Sequence, residues 1–200
     1  SIDADLLLRR LAIQAKIINR ENSDKPACKV LYPTSYLHVD FNRIVDFILA
    51  TALSVRGVEI VPILCDGFHP DQCSVFPGQF AKNFSSDCLK FCKLPGSILW
   101  EDILGYKSLS LKNFEEPEDR IVAEQVANKI TIENYTDFYY NGFDIGRQAG
   151  IEVRNSNNLA CMLDNATCRK ELRTHTINAV RMISAYERVF DEVNPNRVVG

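Results

Sequence analysis

Four cysteines crowd the middle of the chain: Cys65 and Cys73 in "VEIVPILCDGFHPDQC", and Cys88 and Cys92 in "DCLKFC". Thiolates arriving as two converging pairs are the ligand set of a tetrahedral structural zinc. Cys88 and Cys92, at i and i+4, fall on one face of a helix, and His69 can stand in for a sulfur. The Cys65–Cys73 spacing is wider than a zinc pair usually shows. Unpaired or packed thiols are the simpler account of the same residues, and disulfides are a further alternative. Cys28, Cys161 and Cys168 read as small buried hydrophobes and complete an odd total of seven cysteines.

A second group lies in "KVLYPTSYLHVDFN". His38 beside Asp40 has the composition of a general base, since a carboxylate can hold an imidazole ready near neutral pH. Alternatively, Asp40 caps the helix that follows and His38 satisfies loop carbonyls. Thr34 and Ser35 can donate to a ligand or to backbone. Further on, "YYNGFDIGRQAGIEVR" offers Gly142, Asp144, Gly146, Arg147 and Arg154. Glycines let backbone approach a ligand, a helix starting near Asp144 presents free N–H groups, and arginine clamps phosphate or carboxylate. The same glycines can instead only turn the chain, with Arg154 pairing with Glu152 or Asp164. No GxGxxG follows an apolar strand, and neither GxxxxGK[ST] nor GxSxG occurs, so dinucleotide, P-loop and hydrolase-elbow sites are excluded. Trp100, in "LWEDIL", reads as core.

The elements that must position these residues follow from hydrophobic spacing. "KVLYP" is a short strand closed by proline, and "RIVDFILATALSVRG" has helical periodicity with Gly57 as its C-terminal cap. "VEIVPILC" is a continuous apolar strand, with Pro62 as an irregularity. Strand, helix, strand make a βαβ unit with a parallel sheet. Ligands of such sheets collect beyond the carboxyl ends of the strands, which is where 34–42 and 66–79 fall, Asp66 among them. Helices are expected up to Pro95, over "EEPEDRIVAEQVANKI", from Asp144 to Arg154 and from Ala166 to Val193. "SILWEDILG" reads as a separate apolar segment, and "NPNRVVG" as a turn and a final strand. The fold class is α/β, a Rossmann-like parallel sheet flanked by helices. Residues 1–27 form an N-terminal helix and connector, and 28–200 form one lobe. Ending on a lone strand suggests a fragment of a longer chain.

Composition narrows the partners. The chain is 46% hydrophobic and 24% charged, with a net charge of −3. That balance, without a basic run, gives nucleic acid nothing to bind. No apolar run reaches a membrane span, and "SIDADLLLRRLAIQAKIINRE" lacks the order of a signal peptide. Its apolar stripe suits packing on the rest of the chain or a homodimer through this helix. Asn83, Asn134 and Asn165 head Asn-X-Ser/Thr sequons, which chance supplies in an asparagine-rich chain. The thiols favour a reducing compartment.

In this order, the residues resemble the N-terminal half of bacterial GT-B-like proteins, glycosyltransferases of capsular and surface polysaccharide biosynthesis. The likeness rests on "KVLYPTSYLHVDFN", "PILCDG", the following Cys73, "CLKFC", "NGFDIGRQAGIEVR" and the long helix leading to "NPNRVVG", and covers Lys29 to Gly200. It implies two Rossmann-like lobes with the active site between them and no catalytic metal ion. The nucleotide sugar would be held by a C-terminal lobe that lies outside this sequence. The N-terminal lobe would contact a glycan or lipid-linked acceptor and supply the base, by position His38 or Asp40. The resemblance also implies a cytoplasmic protein, peripheral at the inner membrane. A non-catalytic, cysteine-stabilised binding or assembly module, with or without structural zinc, is the other reading of the same layout.

Overall fold

The computed structural model describes residues 6, 9, 10, 13, 28–34, 40–68, 88, 89 and 93–199, with the backbone alone for 40–43. In the N-terminal segment Leu6, Arg9, Arg10 and Ile13 are helical and exposed. The elements that follow are β1 (Cys28–Pro33), α1 (Asp40–Val55) and β2 (Val58–Leu64), then α2 (Leu94–Ser97), which continues as a π-helical turn over Ile98–Ile103. Next come β3 (Leu109–Ser110), α3 (Pro117–Ala127), α4 (Ile145–Ser156), α5 (Ala166–Val193) and β4 (Arg197–Val198).

The strands form a four-stranded sheet in the order β3-β2-β1-β4. Every pairing is parallel: Leu31 stands opposite Val61 on one side and Val198 on the other, and Ile63 stands opposite Leu109. The chain is therefore α/β, with a parallel sheet flanked by helices, compatible with a Rossmann-like fold. Parallel neighbours need a crossover connection, and α1 provides it between β1 and β2. α1 ends as its sequence demands: Gly57 takes φ +77 and its N–H donates to Ser54 O at 2.8 Å.

Pro62 costs the sheet nothing. Ile63 C=O faces β1, where it accepts the Thr34 N–H at 3.1 Å. Alternation along the strand therefore turns the Pro62 nitrogen towards β3. β3 begins only opposite Ile63, so no ladder bond is lost there. At the other edge, Asn196 seats β4: its N–H donates to Lys29 O at 2.8 Å and its Oδ1 accepts the Lys29 N–H at 2.7 Å.

The chain divides into two compact units, Ser1–Asn113 with Val189–Gly200, and Phe114–Arg188. The first packs Tyr32, Ile60 and Leu64 of the sheet with Phe47 and Ala50 of α1 and with Leu99, Trp100 and Ile103 of the π-helical turn. Trp100 is wholly buried, its ring centroid 5.1 Å from that of Tyr32. Tyr32 also donates to Asp46 Oδ1 at 3.0 Å, tying β1 to α1. Burial, and then the Asp46 charge, push the Tyr32 phenol well above its usual range. The expected break at Pro95 is absent: proline occupies the first turn of α2, where its missing N–H is an orphan in any case. "SILWEDI" extends that helix instead of forming a segment of its own.

In the second unit α3 opens as its sequence indicates, with Pro117 in the first turn and a capping box between Glu116 and Asp119. Arg188 closes this unit on itself. Its guanidinium reaches Asp119 Oδ1 and Oδ2 at 2.7 Å each and the Phe114 carbonyl at 2.8 Å. Beside it Arg181, almost buried, holds Glu115 at 2.6 Å. α4 lies against the Tyr135–Asp137 turn through Gly146 and Gly150. A Cβ at Gly146 would meet Tyr135 O and sit 2.7 Å from Phe138 Cβ, and one at Gly150 would lie 2.6 Å from Tyr135 Cδ2.

Gly150→Ala is expected to lower stability by about 1–3 kcal/mol, since the ring it meets belongs to a packed cluster. A melting temperature equal to that of the parent protein contradicts the packing. Arg188→Met should cost about 2 kcal/mol, less than a fully buried pair because the arginine is partly exposed. Burial would raise the Asp119 carboxyl, but Arg188, the Glu116 N–H and Arg181 together hold it below the ordinary 3.8. A depressed carboxyl contributes stability above its unfolded value and loses it as pH falls through the folded one. The difference in melting temperature between parent and Arg188→Met should therefore be largest near neutrality and shrink below about pH 4. A pH-independent difference contradicts the ion pair.

Candidate functional site

The parallel order places the carboxyl ends of β1, β2 and β3 along one rim. At the end of β1, Thr34 sends both its N–H and its Oγ1 to Ile63 O, at 3.1 and 2.8 Å. The hydroxyl proton is spent on backbone, and the oxygen keeps its accepting side. β2 runs out into "CDGF". Asp66 and Gly67 take φ +49 and +78, and the Phe68 N–H returns to Cys65 O at 3.0 Å. Positive φ at both central residues makes this a type I′ turn, a conformation that Asp-Gly adopts readily. Phe68 is buried and pins the turn.

The turn raises the Asp66 carboxylate at the rim. Lys93 Nζ lies 2.9 Å from Oδ1 and 3.0 Å from Oδ2, and Ser110 Oγ donates to Oδ2 at 2.8 Å. The Asp66 side chain is 18% exposed and that of Lys93 44%. Carboxylate, ammonium and hydroxyl thus converge from the end of β2, the start of α2 and the end of β3. Sequence reasoning named Asp66 and missed its partners. Ser110 carries a faint signal, the period-two alternation of "SLSL"; Lys93 carries none, being 27 positions from Asp66.

Of the other expected site residues, His38 and Ser35 lie outside the described residues. Asp40 is the first residue of α1, its side chain likewise not described. Gly142, Asp144, Gly146, Arg147 and Arg154 belong to the second unit. Gly142, at φ +82, follows Asn141 at φ +46 in another I′ turn, closed by paired bonds between Tyr140 and Phe143 at 3.0 and 2.9 Å. Asp144 caps α4 through the Arg147 N–H at 3.2 Å, and its carboxylate also holds the Arg147 guanidinium at 3.2 Å. Arg154 lies on the same helix, while Asp164 is held by Arg169 at 2.6 Å. Gly142, Asp144 and Arg147 serve backbone geometry and capping, and Gly146 is required by the Tyr135 turn. In the same unit burial lowers the pKa of His175 against the opposing charges of Glu152 and Glu171, favouring neutral imidazole.

The four-cysteine set is only half described: Cys73 and Cys92 lie outside it. Cys65 is a free, exposed thiol at the rim and Cys88 is buried. Among the described residues no group of three or more histidine, cysteine or acidic side chains is placed to hold a metal ion. Cys161, expected to be buried, is exposed in the loop before α5, whereas Cys168 is buried as anticipated. Two sequon asparagines serve the backbone: Asn165 Oδ1 accepts the Cys168 N–H at 2.8 Å, and Asn134 bridges Thr131 N and Lys129 O at 2.8 and 3.0 Å. Among the described residues no helix is long and apolar enough to cross a membrane.

The fold and rim define a domain of the α/β class with a parallel sheet. Comparison with known proteins finds no matching family model and no significant match among curated proteins or solved structures.

Iodoacetamide should label Cys65 and Cys161 in the folded protein at the rate of a free thiol, and Cys168 only after unfolding. Protection of Cys65 that disappears with a chelator would show a metal-bound thiolate instead.

Proposed function

We propose that the chain is the acceptor-side domain of a GT-B-type glycosyltransferase acting in surface-polysaccharide assembly. The observation that supports this reading is the strand order β3-β2-β1-β4 with all pairs parallel. The chain steps outward from β1 to β3 and then returns to β4 on the other side of β1. That reversal is a topological switch point, where open α/β sheets bind ligands at the carboxyl edge. Thr34 stands at the carboxyl end of β1, and residues 35–39, His38 among them, follow it before α1. In the proposed reaction His38, oriented by Asp40, takes the proton from an acceptor hydroxyl. The oxygen then attacks the anomeric carbon of a nucleotide sugar as the bond to the diphosphate breaks. A donor lobe outside this sequence holds the leaving diphosphate.

The test is His38→Ala in the full-length protein, assayed by nucleoside diphosphate release from a panel of nucleotide sugars with glycan and lipid-linked acceptors. Turnover should fall by about a hundredfold or more with the melting temperature unchanged. Unaltered kinetics would remove His38 from the mechanism.

A non-catalytic binding or assembly module is the second reading. The observation favouring it is that Asp144, Gly146 and Arg147 are all engaged by the protein itself. Glycan binding without diphosphate release from any nucleotide sugar would select it, and stoichiometric zinc in the purified protein would make the cysteines part of its framework.

A further inference from the structure

Resting on the acceptor-side reading, we infer that Asp66, Lys93 and Ser110 form a subsite for a vicinal diol of the sugar acceptor. The arrangement differs from an ordinary surface ion pair in where it stands and in what it leaves unused. It lies at the carboxyl rim between β2 and β3, fixed by a turn whose backbone Asp66 and Gly67 hold at positive φ. Its members come from separate segments, so no local rule of helix or hairpin pairing brings them together. Ser110 spends its proton on Asp66, which leaves the serine oxygen as an acceptor. Lys93 aims at both carboxylate oxygens and keeps a further N–H and most of its charge. Asp66 retains accepting capacity on Oδ1, which among the described residues takes only the lysine.

Outward, then, the cluster offers an ammonium donor beside a carboxylate acceptor. Adjacent hydroxyls on a sugar ring present the complementary pair, one oxygen accepting from Lys93 while the neighbouring hydroxyl donates to Asp66. A bare anion would satisfy the lysine but stand against the carboxylate, and an apolar ligand would satisfy neither. Charge-assisted hydrogen bonds of this kind carry more affinity than neutral ones. Partial exposure keeps the site open to a ligand, and an ion pair this exposed contributes little to stability.

The experiment is saturation-transfer NMR on the full-length protein with methyl α-mannopyranoside, its 2-deoxy counterpart and inorganic phosphate as probes. Mannoside binding is expected, weakened roughly tenfold or more by Lys93→Met and by Ser110→Ala. The deoxy sugar should bind poorly, phosphate should not compete, and Lys93→Arg should restore part of the binding. Melting temperatures serve as the control for folding. The inference is overturned if the parent protein binds no mannoside, if both variants bind it as the parent does, or if phosphate displaces it. Lowered melting temperature with unchanged binding likewise reduces the cluster to a structural tie. Diphosphate release is measured separately: diol binding without it would sink the transferase reading and leave the subsite standing, whereas transfer unaffected in both variants would do the reverse.

Discussion

β1 is hydrogen-bonded on both sides to strands that run in its own direction, and the rest of the molecule is arranged around that constraint. Parallel neighbours cannot be joined by a tight turn, so each must be reached over a crossover. α1 makes one crossover, and the stretch between β3 and β4 makes another, long enough to carry a compact helical unit of its own. With the strands aligned, every carboxyl end emerges on the same edge. Thr34 and Asp66, far apart in sequence, become neighbours on a common rim because the ladder leaves them nowhere else to go.

The rim is also where polar groups survive. Inside the sheet, Leu31 and Ile63 are buried on one face and Tyr32, Ile60 and Leu64 on the other, and the one hydroxyl among them, that of Tyr32, is satisfied by Asp46. Beyond the strand ends, backbone conformation is dictated by two turns of the same kind, "CDGF" and "YNGF". Each uses an Asx-Gly pair at positive φ and closes on a phenylalanine. In the second unit this chemistry is spent on making a hairpin and starting α4. In the first it presents a carboxylate, and that difference is what makes the rim the candidate site.

The sequence makes much of this legible because the signals are local. A continuous apolar run, a four-turn amphipathic helix closed by Gly57 and a second apolar run are enough to specify the βαβ unit. Pro117 with its flanking acids marks the start of α3, and the apolar stripe of "ATCRKELRTHTINAVRMISAYERVFDEV" gives α5 over its observed length, Ala166–Val193. Signals that depend on distant partners were not readable. β3 is two residues long and shows no more than the faint alternation of "SLSL". The helix continues past Pro95 because proline is harmless in a first turn, which spacing alone does not reveal. Lys93 is drawn to Asp66, and Arg188 to Asp119, by folding and by no motif. The glycines of "NGFDIGRQAG" read equally as ligand contacts or as turns, because close approach of backbone and a tight turn need the same residue; the turn at Gly142 and the close approach at Gly146 are what the geometry adds.

The central claim is that β1 lies inside a parallel sheet with β2 and β4 on its flanks. Interstrand nuclear Overhauser effects on isotope-labelled protein measure this directly. The account predicts cross-peaks in the parallel pattern from Val30 and Leu31 to Ile60 and Val61 on one side and to Arg197 and Val198 on the other. Antiparallel connectivities between β1 and β2 would separate Thr34 from Asp66, and a β1 with contacts on one side alone would remove the reversal at β4; either contradicts the rim on which the function is argued.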